Sequence, residues 1–278
     1  MQKWFRRKRS EPEPTDTLGY LSRYYSTHCD EDARLLSRPG QVEYLTTMRY
    51  IQKYWRPGMK VLEIGAATGR YSLALARMGY DVTAIELVQH NIGVFRKKIK
   101  PGDKIDLQQG DALDLSRFED NSFDMTLLLG PMYHLYTKED QARALEEALR
   151  VTRPGGYLYV AYVLSDMAIL VNGIKPKGYF WRYIEDGHID PVTYECRSSP
   201  RDLFQIYRRE EIDALTAPLP CARLHYVAAD GMARLVRDKL DRMSPERFAR
   251  FMDYHYNLCE RPDMAGAANH SLDILQKI

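Results

Sequence analysis

The residues with the clearest chemistry are three carboxylates and two glycines at fixed spacing. Glu63 stands two residues before Gly65 in the stretch Val61-Leu62-Glu63-Ile64-Gly65-Ala66-Ala67-Thr68-Gly69-Arg70. Glu86 follows 21 residues after Gly65, and Asp111 a further 25 residues on. An apolar run that stops at glycines and restarts as a helix leaves backbone N–H groups facing a cleft at the strand's C-terminal end. In open α/β sheets that is where ligands bind. An acid ending the next strand can accept from both hydroxyls of a ribose and disfavours a 2′-phosphate. A carboxylate ending the third strand can meet an exocyclic adenine amine. The turn lacks the G-x-G-x-x-G spacing that seats a pyrophosphate. Glu63 would repel such a group but suits a cation. The set fits an adenosine carrying a positive, phosphate-free appendage.

A second group follows the fourth apolar run, at Gly130-Pro131-Met132-Tyr133-His134. Tyr133 could orient a bound acceptor. His134, with an ordinary pKa of ~6.5, could take a proton from it; its bland reading is a cap or packing residue at the next helix start. His255 lies on an apolar helical face and reads as core. His28-Cys29-Asp30 holds ligand-type residues, but adjacent ones cannot easily surround one ion. Cys29, Cys196, Cys221 and Cys259 lie far apart with no C-x-x-C pair. No metal site and reduced thiols in a cytoplasmic setting are expected.

The elements that position these groups read as alternating strand and helix. Val61–Ile64, Asp81–Glu86, Ile105–Gln109, Phe123–Leu129 and Tyr157–Val163 are expected strands, with helices between them, and the nearly continuous apolar run of the fourth predicts a central parallel strand. Short connections throughout 60–163 predict a doubly wound α/β sheet with right-handed crossovers. Before it, Val42, Leu45, Met48, Ile51 and Trp55 give a helical stripe within 20–56, a helical segment expected to lie over the cleft as a lid or else to cover the sheet edge. Residues 1–19 hold a basic cluster from Lys3 to Arg9 and are expected to be a solvated terminus; no apolar segment there suggests a secretory signal. Residues 164–200, punctuated by Gly and Pro, read as a cap insertion. Within 201–278, Ala222–Val227 reads as a strand and the stretch from Met232 as helices, with Ser244-Pro245 as a helix start.

The chain has 278 residues, 45% hydrophobic and 28% charged, with a formal net charge of +2. That balance is ordinary for a folded soluble protein and excludes a nucleic-acid-coating one. No apolar run approaches the ~18–20 residues of a membrane span.

The order E-x-G-x-x-x-G, strand-two acid, G-D-A after strand three, F-D-x-x-x-x-L-G before a helix and R-P-G-G-Y-L before strand five resembles the class I S-adenosylmethionine (SAM)-dependent methyltransferases over roughly residues 40–163. The resemblance implies a Rossmann-like, seven-stranded, mostly parallel sheet with its last strand antiparallel, the final strands drawn from about 204–230. N-terminal helices, the insertion and C-terminal helices would cap the cleft, so that residues 57–278 form one methyltransferase domain around a 57–163 core. It also implies SAM as cofactor. Glu63, Gly65, Ala66 and Gly69 would lie along its methionine part, Glu86 and Leu87 at the ribose, Asp111 and Ala112 at the adenine, and Leu129 at the amino group. Tyr25, with Tyr24 or Arg70 as alternatives, would reach the carboxylate. The family's middle glycine is Ala67 here, tolerable if its φ stays negative. Valine at Gly65 or Gly69 is expected to abolish SAM binding without unfolding the chain.

In-line methyl transfer needs a base only for a hydroxyl or protonated amine; Tyr133 and His134 are the candidates. Gly130-Pro131-Met132-Tyr133 lacks the first side chain and second proline of enzymes that methylate exocyclic base amines. The leading expectation is a small-molecule acceptor methylated at O or N, with no membrane partner and nucleic acid disfavoured. An RNA or protein methyltransferase docking through the basic arm, or a SAM-binding module without catalysis, are the alternatives.

Overall fold

The computed structural model describes residues 16–176 and 178–278; the basic arm expected at Lys3–Arg9 lies outside them. Three helices come first: α1 (Thr17–Thr27), α2 (Glu31–Leu36) and α3 (Arg38–Lys53). The Asp16, Asp30 and Ser37 side chains accept from the first-turn N–H groups of Gly19, Ala33 and Gly40, which fixes three closely spaced helix starts. Then follow β1 (Lys60–Ile64), α4 (Arg70–Arg77), β2 (Asp81–Glu86), α5 (Gln89–Arg96), β3 (Ile105–Gln109), β4 (Phe123–Leu128), a 3₁₀ turn at Pro131–His134, α6 (Lys138–Val151) and β5 (Thr152–Val163). The insertion carries α7 (Ser165–Ala168) and α8 (Phe180–Glu185). The chain closes with α9 (Arg209–Thr216), β6 (Cys221–Ala228), α10 (Arg237–Asp241), α11 (Pro245–Leu258) and β7 (His270–Lys277).

The sheet has seven strands in the order β3-β2-β1-β4-β5-β7-β6. β1 to β5 are parallel, and β7 runs antiparallel to both β5 and β6. Met125, Leu127 and Leu128 of β4 are fully buried, as a central strand covered on both faces requires. β1, next to it, ends at Gly65, and β2 on its other side ends at Glu86. The glycine turn and the acid therefore sit side by side at one edge of the cleft.

The last strands differ from expectation. Residues 204–230 supply only β6; β7 comes from the C-terminal segment. Its inward residues are mixed, with Ser271 and Asp273 among Leu272, Ile274 and Leu275, so no apolar alternation announces it. The buried Asp273 is paired by Arg223 of β6, whose Nε and Nη2 donate to the two carboxylate oxygens at 2.8 Å each. The helices α10 and α11 pack Leu240, Phe248 and Met252 against Val42 of α3 and so support the N-terminal layer from behind. Among the described residues no helix is long and apolar enough to cross a membrane.

Candidate active site

One cavity of about 1370 Å³ opens over the C-terminal ends of β1, β2 and β4. Every expected cofactor contact except Gly69 lines it: Glu63, Gly65, Ala66, Glu86, Leu87, Asp111, Ala112, Leu129 and Tyr25. So do Tyr133 and His134. Gly69 instead ends the turn at φ +83, directly before the first residue of α4.

Four N–H groups of the turn are already engaged. Gly65 and Ala66 both donate to the Ile85 carbonyl, at 2.9 and 3.0 Å, and Gly69 donates to the Ala66 carbonyl at 2.8 Å. Ala67 donates to Glu86 Oε2 at 2.8 Å. The expected N–H cradle is thus narrowed, since the Gly65, Ala66 and Ala67 donors close the turn onto β2. A turn built this way has little to offer a phosphate, which needs such donors. The expectation for Ala67 is corrected. Its φ is +47, in the left-handed region, while its N–H donates to Glu86.

Glu86 is buried. Its Oε1 accepts from Val88 N at 2.9 Å and Asn91 Nδ2 at 3.2 Å, which leaves its remaining acceptor capacity on Oε2. Burial raises its pKa, opposed by those N–H groups. Glu63 is buried as well, with Ser72 Oγ donating to it. Burial pushes its pKa up to about 7, against the Ser72 bonds, and no cation pairs with it among the described residues. A carboxyl poised this way gains by receiving a positive charge. Arg70 crosses the cavity wall over the Tyr44 ring at 4.5 Å, and its Nε is buried with no hydrogen-bond partner among the described residues. Asp111 Oδ1 accepts from Leu113 N at 3.0 Å, which shapes the wall beyond β3.

α1 and α2 close the cavity from above. The Tyr25 hydroxyl meets His134 Nε2 at 3.0 Å, while His134 Nδ1 lies 2.7 Å from the Leu203 carbonyl. A carbonyl only accepts, so Nδ1 carries the proton and Nε2 accepts from Tyr25. Burial lowers the His134 pKa to about 4, against the Leu203 bond. The expectation of an ordinary imidazole is therefore corrected: His134 is a neutral, oriented acceptor throughout the physiological range. It joins α1 to the turn after β4 rather than capping α6, which Thr137 caps. A second tie holds α2 to the glycine turn. Thr68 Oγ1 donates to Asp32 Oδ1 at 2.8 Å, and Lys98 Nζ donates both to Asp32 Oδ2 and to the Thr68 carbonyl, the latter at 3.0 Å.

Sequence spacing missed a third group. Arg34 of α2 donates through Nη1 to both carboxylate oxygens of Glu43, at 3.0 and 2.8 Å, and through Nε to Glu31 at 2.8 Å. Arg234 reaches Asp230 at 3.2 Å and Glu43 at 3.8 Å. His270 Nδ1 lies 2.9 Å from Asp230 and 3.2 Å from Glu43. Burial would raise both Glu43 and Asp230, yet Arg34, His270 and Arg234 hold them below the ordinary carboxylate range. Glu43, Asp230 and His270 are close enough to share an ion. The two guanidinium groups already neutralise the carboxylates, so the cluster reads as an ion-pair network. These residues come from α2, α3, the loop after β6 and the start of β7, so no local motif could have flagged them. His28-Cys29-Asp30 forms no cluster: Asp30 caps α2, and Cys29 Sγ donates to Glu31. His255 is buried, its Nε2 3.0 Å from Thr46 Oγ1, in the supporting layer.

Residues 62–160 match a family model described as a methyltransferase domain. A protein of Encephalitozoon cuniculi named as a methyltransferase is 28% identical over 196 residues, which cover 70% of this chain and 85% of that one. The demethylmenaquinone methyltransferase of Renibacterium salmoninarum is 38% identical over 105 residues, 38% of this chain and 41% of the relative, so the chain spans about two fifths of that relative's length. The solved structure of a SAM-dependent methyltransferase from Methanosarcina mazei has the same fold, with a TM-score of 0.54 at 21% identity, covering 82% of this chain and 97% of that one.

Proposed function

We propose that the chain, whose residues 62–160 match a methyltransferase-domain model and whose fold is that of a SAM-dependent methyltransferase from Methanosarcina mazei, uses SAM to methylate an oxygen or nitrogen atom of a small molecule. The observation that carries this reading is the single cavity running from Glu63, Gly65 and Glu86 to the Tyr25–His134 pair and on beneath the insertion. At about 1370 Å³ it exceeds the ~300–1,000 Å³ of an ordinary one-ligand pocket. That is space for a cofactor and an acceptor together. Its enclosure by α1, α2 and the insertion favours a small acceptor over a macromolecular one.

The residues present fit SAM. Glu86, with Leu87 beside it, would hold the ribose; Asp111 and Ala112 would meet the adenine; Glu63, Gly65, Ala66 and Leu129 would line the methionine part. Arg70, whose Nε lacks a partner, would take the carboxylate, a role that suits it better than Tyr25, whose hydroxyl already donates to His134. Bound SAM would supply an electrophilic methyl for in-line displacement. The protein's own work is positioning and exclusion of water. Glu86 locks the turn through Ala67, and Tyr25 closes α1 over the methyl-facing side by donating to His134. Tyr133, buried between His134 and His270, floors the acceptor space.

An imidazole with a pKa of about 4 is a poor base at neutral pH but a steady hydrogen-bond acceptor. His134 is thus a positioning residue for the α1 lid, and kcat should show no inflection near pH 6.5. Replacing His134 with Asn or Tyr25 with Phe should lower single-turnover transfer about 10²-fold, the cost of roughly 1 Å of misplacement. The pH profile of the residual activity should keep its shape. Undiminished transfer in both variants would remove the pair from the mechanism.

Glu63 gives a pH dependence of opposite origin. Its carboxyl, raised to about 7, must lose its proton to pair with a sulfonium or ammonium. A bound cation lowers that pKa, so SAM binding should release a proton and affinity should rise as pH passes upward through about 7. Calorimetry in buffers of different ionisation enthalpy measures the release directly. Glu63→Gln should abolish it and weaken SAM. A proton uptake, or no exchange at pH 6.5, would contradict this placement. The function itself is tested by transfer of label from [methyl-³H]SAM to a panel of phenols, quinols and amines.

A further inference from the structure

Resting on the methyltransferase reading, we infer that the pocket formed by Tyr133, Asn269, Arg34 and Arg234 binds an uncharged oxygen of the methyl acceptor, a carbonyl or hydroxyl, and selects against an anionic group there. All four residues line the cavity. They stand where β7 begins, beside the end of β5, since His270 pairs with Val163. The glycine turn and Glu86 follow β1 and β2, so this pocket lies on the far side of β4 from the adenosine seat.

Two of its polar groups lack protein partners. Asn269 is 5% exposed, and one end of its amide is buried with no hydrogen bond. Its other end faces His270 Nδ1 at 3.4 Å. That nitrogen carries a proton, because it faces the carboxylates of Asp230 and Glu43. The amide oxygen therefore belongs on the His270 side, which turns the NH₂ group to the unpartnered position. Tyr133 is 8% exposed, with its hydroxyl close enough to feel Glu43, Arg34 and Asp230, and it makes no side-chain hydrogen bond among the described residues. Arg34 and Arg234 keep 31% and 21% of their side-chain surface accessible. The pocket thus presents four donor groups and needs an oxygen to complete it.

Its charge decides which oxygen. Arg34 and Arg234 are matched by Glu31, Glu43 and Asp230. Three carboxylates thus already face two guanidinium groups. A carboxylate or phosphate would add negative charge to a buried site where carboxylates already outnumber the guanidinium groups. A carbonyl or hydroxyl takes the same hydrogen bonds without that cost.

The test uses the full chain saturated with S-adenosylhomocysteine (SAH) and three aromatic probes matched in size: 1-acetonaphthone, 1-naphthoate and 1-ethylnaphthalene. Failure of SAH to bind at this first step would strike the methyltransferase reading instead. The ketone should bind about 10-fold tighter than either the anion or the hydrocarbon, the scale of one or two satisfied hydrogen bonds. Tyr133→Phe removes only a hydroxyl without a partner, so the variant should melt like wild type. It and Asn269→Ala should each erase most of the ketone's advantage, with SAH affinity within about twofold of wild type. Naphthoate binding as tightly as the ketone, or a ketone advantage that survives both substitutions, would overturn the inference. So would a parallel loss of SAH affinity, which would give the pocket to the cofactor's own carboxylate.

Discussion

Gly65→Ala should leave a folded protein that binds SAM and SAH roughly 10- to 100-fold more weakly, as read by titration calorimetry. Gly65 adopts φ +74, and a Cβ there would lie 2.8 and 2.9 Å from the ring carbons of Pro131. A left-handed residue with a side chain costs about 1–3 kcal/mol. The clash adds to this, and the proline ring cannot swing aside. The strain falls between the turn after β1 and the 3₁₀ turn after β4, both walls of the cavity, and away from the sheet's interior. Relief comes from parting the two walls, which moves the Glu63–Gly65 contacts off the cofactor. An alanine variant with unchanged SAH affinity would show that the cofactor does not press against this turn.

Gly69→Val should fail for a different reason, and with a larger effect on stability. A Cβ at Gly69 would come within 2.2–2.3 Å of the Phe95 ring, which is fully buried between α5 and the sheet. Gly69 also holds φ +83 as the residue before α4. Backbone strain of about 1–3 kcal/mol and overpacking of about 1–3 kcal/mol together approach the total stability of a small domain. The variant is expected to be largely unfolded or to melt far below wild type in circular dichroism. The expectation from sequence that valine at either glycine would spare the fold is corrected at Gly69. Wild-type melting with selective loss of SAH would restore it.

The parallel half of the fold was legible because its signals are local. Apolar runs of four to six residues, glycine stops and Glu86 at a strand end each report on their own neighbourhood, whereas the strand order, in which the chain passes from β3 across β2 and β1 to β4, has no local signal. β7 was not legible. Asp273 is tolerable in a central strand only because Arg223, fifty residues earlier, reaches it. The insertion was opaque for a similar reason: its Gly and Pro punctuation says where the chain bends but not what it covers.

The site divides along the same line. Glu63, Gly65, Glu86, Asp111 and His134 could be picked out because each ends or follows a strand, and strand ends converge on one edge. Their chemistry was less readable than their positions. Spacing cannot tell that burial drags His134 to about 4 or lifts Glu63 to about 7, since both depend on what covers them. Nor can it tell that Ala67 turns left-handed. The Arg34–Glu43–Asp230–His270–Arg234 network was invisible, because its members approach only after β7 inserts beside β5 and α3 packs behind.

The central claim is that the turn after β1 seats an adenosine with a cationic, phosphate-free appendage. Titrating the full chain with SAM, SAH and NAD⁺ in one calorimeter tests it most directly. Saturable binding of SAM and SAH at one site per chain, with no measurable NAD⁺ binding, is the result this structure predicts. NAD⁺ binding as tightly as SAH, or no heat with either SAM or SAH, would contradict it.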